Sequence, residues 1–209
     1  MLFAAANRLH EQRKFVDSLN VFPVPDGDTG TNMSSTILAA AKEVEKSGSD
    51  SVADLAAAAA RGSLMGARGN SGVILSQFFR GFADGCRGHK ELDSHTLAQA
   101  IQSASDTVYK AVMKPVEGTM LTVGRFAAEG ANAAAESGAN VWETLEAAFR
   151  EAQKGLEKTP QLLPVLREAG VVDAGGQGLV VILEGVLSVV RGEGVPDALM
   201  DVSVVDHGE

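Results

Sequence analysis

Apolar residues recur at helical spacing along almost the whole chain, and four polar, glycine-rich stretches interrupt them. That spacing gathers the apolar side chains on one face of a helix, whereas a half-buried strand needs strict alternation. No alternating segments joined by hairpin turns occur, and there is no repeat or low-complexity linker. Helices are therefore expected over about 1–16, 33–47, 51–61, 73–85, 94–113, 117–136, 140–156, 159–169 and 179–190. Gly62 is the expected stop of the third, Asn140 the cap of the seventh, and Pro160 a first-turn residue of the short eighth. The last segment is nearly all apolar, which at that length reads as a buried helix. The fold class that follows is all-α, about eight helices in one domain over 1–192, with a frayed or extended tail over 193–209.

Composition narrows the function classes. A chain of 209 residues buries a sizeable core without disulfides, and its one cysteine, Cys86, excludes an intramolecular bridge and fits a reducing compartment. A net charge of −9 argues against a nucleic-acid binder held by phosphate contacts. Aromatic residues make up only 5%, so packing must rely on small side chains that let helices approach closely. No apolar run is long enough to span a bilayer, and residues 1–10 lack signal-peptide features. A soluble cytoplasmic protein is expected.

The chemistry-bearing candidates lie in the four interruptions: 26–32, 66–72, 117–120 and 173–178. In the first, Pro23 and Pro25 hold the approach extended, and Asp26 and Asp28 flank Gly27 just before a helix. Two readings stand for this elbow: a loop with a helix cap, or two oxygen ligands for a hard cation such as Mg²⁺ shared with phosphate. Gly69-Asn70-Ser71-Gly72 has the makings of an anion site at a helix start, or of an ordinary cap. It is not a Walker loop, which ends in Gly-Lys-Ser or Gly-Lys-Thr. Thr119 and Met120, and likewise Asp173 with Gly175 and Gly176, are equally ambiguous between capping, core and pocket.

Short connections make successive helices antiparallel, so by helix count all four interruptions fall at one end of the bundle. His10, His89, His95 and His207 all lie outside them. A Ser-His-Asp hydrolase and a zinc site are thereby disfavoured, while phosphoryl transfer, driven by positioning and charge neutralisation, needs no histidine.

Four ordered motifs carry a family resemblance: 20–33, 65–76 (Met-Gly-Ala-Arg-Gly-Asn-Ser-Gly-Val-Ile-Leu-Ser), 114–120 (Lys-Pro-Val-Glu-Gly-Thr-Met) and 171–178. They resemble the N-terminal nucleotide-binding domain of the bacterial fatty acid kinases, related to the ATP-binding L subunit of dihydroxyacetone kinase. The resemblance implies a barrel of eight antiparallel helices that binds ATP with two Mg²⁺ ions. It implies Asp26 and Asp28 as metal ligands, with Asn20 standing near the place of a third aspartate in dihydroxyacetone kinases. It further implies nucleotide contacts at Thr29, Asn32 and Met33, phosphate contacts at Ser71 and Gly72, and a pocket wall of Thr119, Met120, Asp173 and Gly175.

Thr29, where the dihydroxyacetone enzymes often carry His, favours the fatty acid branch. The implied reaction phosphorylates a fatty acid carboxylate presented by a separate fatty-acid-binding carrier protein, in a longer polypeptide that can form a homodimer. Two other readings are a dihydroxyacetone-type phosphotransfer subunit with bound ADP, and a non-catalytic Mg-nucleotide sensor. Two carboxylates and one amide imply weak metal binding without the triphosphate.

Overall fold

The computed structural model describes residues 1–193. The chain runs through α1 (Leu2–Ser18), α2 (Thr29–Ser47), α3 (Val52–Met65), α4 (Gly69–Gly85), α5 (Ser94–Ala111), α6 (Met120–Glu136), α7 (Val141–Leu162), α8 (Pro164–Ala169) and α9 (Ala174–Val190). As expected, it is all-α, with no strand among the described residues. The tail expected over 193–209 lies, after Glu193, outside them.

Side-chain caps fix several starts. Asp93 accepts from the Thr96 amide, and Asn140 with Glu143 forms a reciprocal capping box that satisfies amides otherwise orphaned at the start of α7.

Some expected boundaries move, each for a local reason. Gly62 does not stop α3, because it lies inside the helix at a close crossing with Ala39, Ala40 and Glu43 of α2. The stretch 69–72 is the first turn of α4 rather than a loop, with the Gly72 amide bonded to the Arg68 carbonyl. The fifth helix ends at Ala111, and the sixth starts only at Met120.

Pro160 sits inside α7 and does not begin a new helix. A proline there strands the Leu156 carbonyl, which has no amide partner one turn on. The Thr159 hydroxyl donates to that carbonyl at 2.7 Å and so replaces the missing bond. The short helix that follows is α8, with Pro164 at its first position.

Each long helix packs on its sequence neighbours, and α9 packs on both α7 and α1, so the eight long helices close into a ring. Crossings depend on missing side chains. A methyl at Gly185 would lie 2.5 Å from the Ala5 Cα, and one at Gly30 would collide with the Arg13 carbonyl. The barrel interior is filled by Leu9, Val16, Met33, Ile37, Val108, Val123 and Val181, all buried. Cys86 lies in a smaller apolar cluster with Ala56 and Ala100, and burial pushes its thiol up to about 11. None of the described helices is long and apolar enough to cross a membrane.

Candidate functional site

The alternation of the ring brings the starts of α2, α4, α6 and α9 to one end, and contacts between them show how closely. The Asn32 side-chain amide of α2 fills the space beside Gly69 of α4. Thr36 Oγ1 receives the Arg68 amide at 3.4 Å and occupies the space a Gly72 side chain would need. Ser71 Oγ donates to the Thr29 carbonyl at 3.5 Å. Gly175 of α9 lies against Met120 of α6, and Gly178 lies against Met33 of α2. The four interruptions therefore meet as the helix count required. Each helix start carries the positive end of a dipole, a favourable setting for an anion, and of the four the start of α4 has no side-chain cap on its backbone N–H groups.

The elbow stands at the rim of this end. Gly27 has φ +69°, which an L side chain rarely adopts, and it turns the chain between the two carboxylates. Asp26 is exposed and accepts a hydrogen bond from Asn20 Nδ2 at 2.6 Å on Oδ1. Asp28 holds the N-cap position of α2, yet its carboxylate makes no capping bond and is left available.

That task falls to a residue not anticipated from sequence. Asp17 accepts from both the amide and the hydroxyl of Thr31, at 2.9 and 2.7 Å, and so ties α1 to the first turn of α2. Its partner is fourteen positions away, with no local pattern to reveal it.

Asn20 thus acts as a donor to Asp26 in this arrangement. The donor set of Asp26, Asp28 and Asn20 is all oxygen when the amide turns, the type Mg²⁺ prefers, but it is short of a full shell. Among the described residues, no group of three or more His, Cys, Asp or Glu side chains could hold a metal by itself. The set fits a Mg²⁺ ion only where another ligand, such as phosphate oxygens, completes the coordination.

The starts of α6 and α9 are tightly knit. Asp173 caps α9, accepting from the Gly176 amide at 2.7 Å, and the Met120 amide also points to it. Its own amide donates to Thr159 Oγ1 at 3.0 Å, so the hydroxyl that repairs α7 also anchors this cap. Burial pushes the Asp173 carboxyl up to about 6, against the two backbone amides that favour its charged form.

Thr119 caps α6 and donates its hydroxyl to the Val116 carbonyl. Of the nucleotide-contact candidates, Thr29, Gly72, Thr119, Met120, Asp173 and Gly175 are buried, Ser71 and Asn32 are partly exposed, and Met33 is wholly buried beneath Gly178. Met33 therefore backs the site from within the core.

A closed ring of antiparallel helices, with four helix starts and two rim carboxylates at one end, defines the class as a helical-barrel domain with an anion-suited end. A DAK2 domain model matches residues 23–188, and the chain belongs to that family. Protein YloV of Bacillus subtilis is 48% identical over 206 residues, covering 99% of this chain and 37% of the relative. An uncharacterised protein of Staphylococcus haemolyticus is 50% identical over 193 residues, covering 92% of this chain and 35% of the relative. The chain thus spans little more than a third of these relatives' length.

Among solved structures, dihydroxyacetone kinase from C. freundii in complex with AMP-PNP and Mg²⁺ superposes with a TM-score of 0.64 at 22% identity. That match covers 90% of this chain and 33% of the other. It shows a shared fold.

Proposed function

We propose that this chain is the nucleotide-binding domain of a kinase that transfers the γ-phosphoryl group of ATP to a fatty acid carboxylate held by a separate fatty-acid-binding protein. The observation that carries this reading is the convergence of four helix starts on the end where Asp26 and Asp28 stand with uncommitted carboxylate oxygens. Membership of the DAK2 family and the fold shared with a kinase crystallised with AMP-PNP and Mg²⁺ support it.

In this reading Asp26, Asp28 and Asn20 hold two Mg²⁺ ions, whose charge offsets that building on the phosphate oxygens during transfer. Ser71, Gly72 and Thr29 face the phosphates from the starts of α4 and α2. Thr119, Met120, Asp173 and Gly175 form the wall for the rest of the nucleotide, with Asn32 contacting it from beside Gly69 and Met33 as backing.

The acceptor carboxylate oxygen attacks the γ-phosphorus as the bond to the β-phosphate oxygen breaks, giving acyl phosphate and ADP. A carboxylate is already ionised at neutral pH, so the absence of histidine from the four loops costs this reaction nothing.

The same end carries exposed apolar side chains at Phe15, Val24, Leu64, Met65, Val73, Met113 and Leu162; of the large exposed ones among the described residues, Met1 and Trp142 stand at the other end. Such a rim suits docking of an acceptor-carrying protein. Because the relatives are nearly three times as long, the chain alone is expected to bind nucleotide but turn over weakly or not at all.

Calorimetry with Mg²⁺ and AMP-PNP on the wild type and on the Asp26→Ala, Asp28→Ala double variant tests this. Binding by the wild type and at least about tenfold loss in the double variant are expected, since charge-assisted metal contacts of this type exceed about 1.4 kcal/mol. Equal affinity in both would refute the metal assignment, and full turnover by the 209 residues with ATP, fatty acid and carrier would refute the dependence on further domains.

A further inference from the structure

Lys114-Pro115-Val116-Glu117 belongs to one of the four motifs, and its glutamate is the centre of a hydrogen-bond knot. Tyr109 of α5 donates its hydroxyl to Glu117 Oε1 at 2.7 Å. Thr122 of α6 donates to Oε2 at 2.6 Å, and Arg125 Nη2 donates to the same oxygen at 3.1 Å. Burial pushes the carboxyl up, but these three donors outweigh it and hold Glu117 below the ordinary glutamate value.

Thr122 is fully buried, and its oxygen accepts in turn from the Gly118 amide at 2.8 Å. Gly118 has φ +83° and presses on Leu163 and the Thr159 carbonyl, with no room for a side chain. The backbone immediately before Thr119 and Met120 is thus held on both sides.

We infer that Glu117 is a positioning residue for the nucleotide wall, acting through Thr122 and Gly118 on Thr119 and Met120. The inference rests on the nucleotide-binding reading above and adds a residue to it. The chain of contacts is continuous: Tyr109 and Arg125 fix the Glu117 carboxylate, Glu117 orients the Thr122 hydroxyl, and Thr122 holds the Gly118 amide. Past Gly118, the Met120 amide meets Asp173, the cap of α9.

A surface ion pair contributes little by itself, and Glu117 and Arg125 are both well exposed. The part of the knot that matters lies inward, at Thr122: a neutral amide in place of the carboxylate offers one oxygen, which gives Thr122 and Arg125 an uncharged and weaker acceptor and turns the NH2 toward Tyr109. The phosphate-facing starts of α2 and α4 take no part in the knot, so its loss should be felt by the nucleoside part of a ligand and not by its phosphates.

The test compares two ligands on the whole chain by calorimetry, Mg²⁺-AMP-PNP and Mg²⁺-tripolyphosphate. Glu117→Gln should weaken the nucleotide about five- to tenfold and leave tripolyphosphate unchanged, the signature of lost uniform binding at one part of the ligand. Tyr109→Phe should have a smaller effect of the same kind, and the double variant should be no worse than Glu117→Gln.

Glu129→Gln removes the other carboxylate of Arg125, which lies 2.7 Å from it, without touching Glu117, and should change neither affinity. Equal weakening of both ligands, or no change in either, would overturn the inference while leaving the nucleotide reading intact. A wild type that binds neither ligand would overturn both.

Discussion

Asp173 makes the most quantitative prediction. Its carboxyl is buried, with only 5% of the residue exposed, and burial raises it from 3.8 to about 6. In the unfolded chain it ionises near its ordinary value, so between about pH 4 and 6 the folded state binds more protons than the unfolded one. The contribution of this group to stability is therefore fully present below about pH 4, falls as pH rises through the window, and is lowest above about pH 6.

A shift of about two pH units corresponds to about 3 kcal/mol. Asp173→Asn keeps an oxygen to accept from the Gly176 amide and remains a good N-cap, but carries no charge. Urea unfolding without nucleotide, run on wild type and variant from about pH 4 to 8, should give near-equal stability at about pH 4. Near pH 7.5 the variant should be more stable, by at most about 3 kcal/mol. Taking the difference between the two proteins removes the opposing contributions of Glu117 and Asp93, whose values are lowered. A variant less stable than wild type at about pH 7.5, with the gap unchanged at about pH 4, would show that the cap bonds outweigh the cost of burial.

Two further outcomes follow from other contacts. Gly185→Ala drives a methyl into the Ala5 backbone and should destabilise by about 3 kcal/mol, whereas Gly178→Ala meets the flexible end of Met33 and should cost about 1 kcal/mol, as read from thermal melts. Equal losses would mean that the α1 and α9 backbones yield. Asn20→Asp places a second carboxylate against Asp26 and should lower stability without metal while tightening Mg²⁺ binding without nucleotide. Unaltered Mg²⁺ affinity by calorimetry would remove Asn20 from the metal site.

The helices and the shared end were legible in the sequence because they depend on local periodicity and on parity through short loops. Leu9, Ile37 and Val108 stand inside as their spacing required. Local patterns failed where a side chain from elsewhere repaired a break: the Thr159 hydroxyl carries α7 past Pro160, and the tight crossing at Gly62 holds α3 together beyond its expected stop. They also missed Asp17 and the knot at Glu117, whose partners lie five to fourteen positions away. Asn20 stands against Asp26, a proximity implied by a motif and not by any spacing rule. Met33 was legible as helical but not as wholly interior.

The gathered helix starts also bear on kinetics. Their field is short-ranged, confined to the first turn of each helix, while the net charge of −9 acts over the Debye length. In the proposed reading, an approaching polyanion is therefore repelled at a distance and attracted only on contact. Added salt lowers the outer barrier more than it weakens the inner grip, so arrival quickens with ionic strength while residence time changes little. A nucleic-acid binder, which is drawn in from afar by lysine and arginine, responds to salt in the opposite sense.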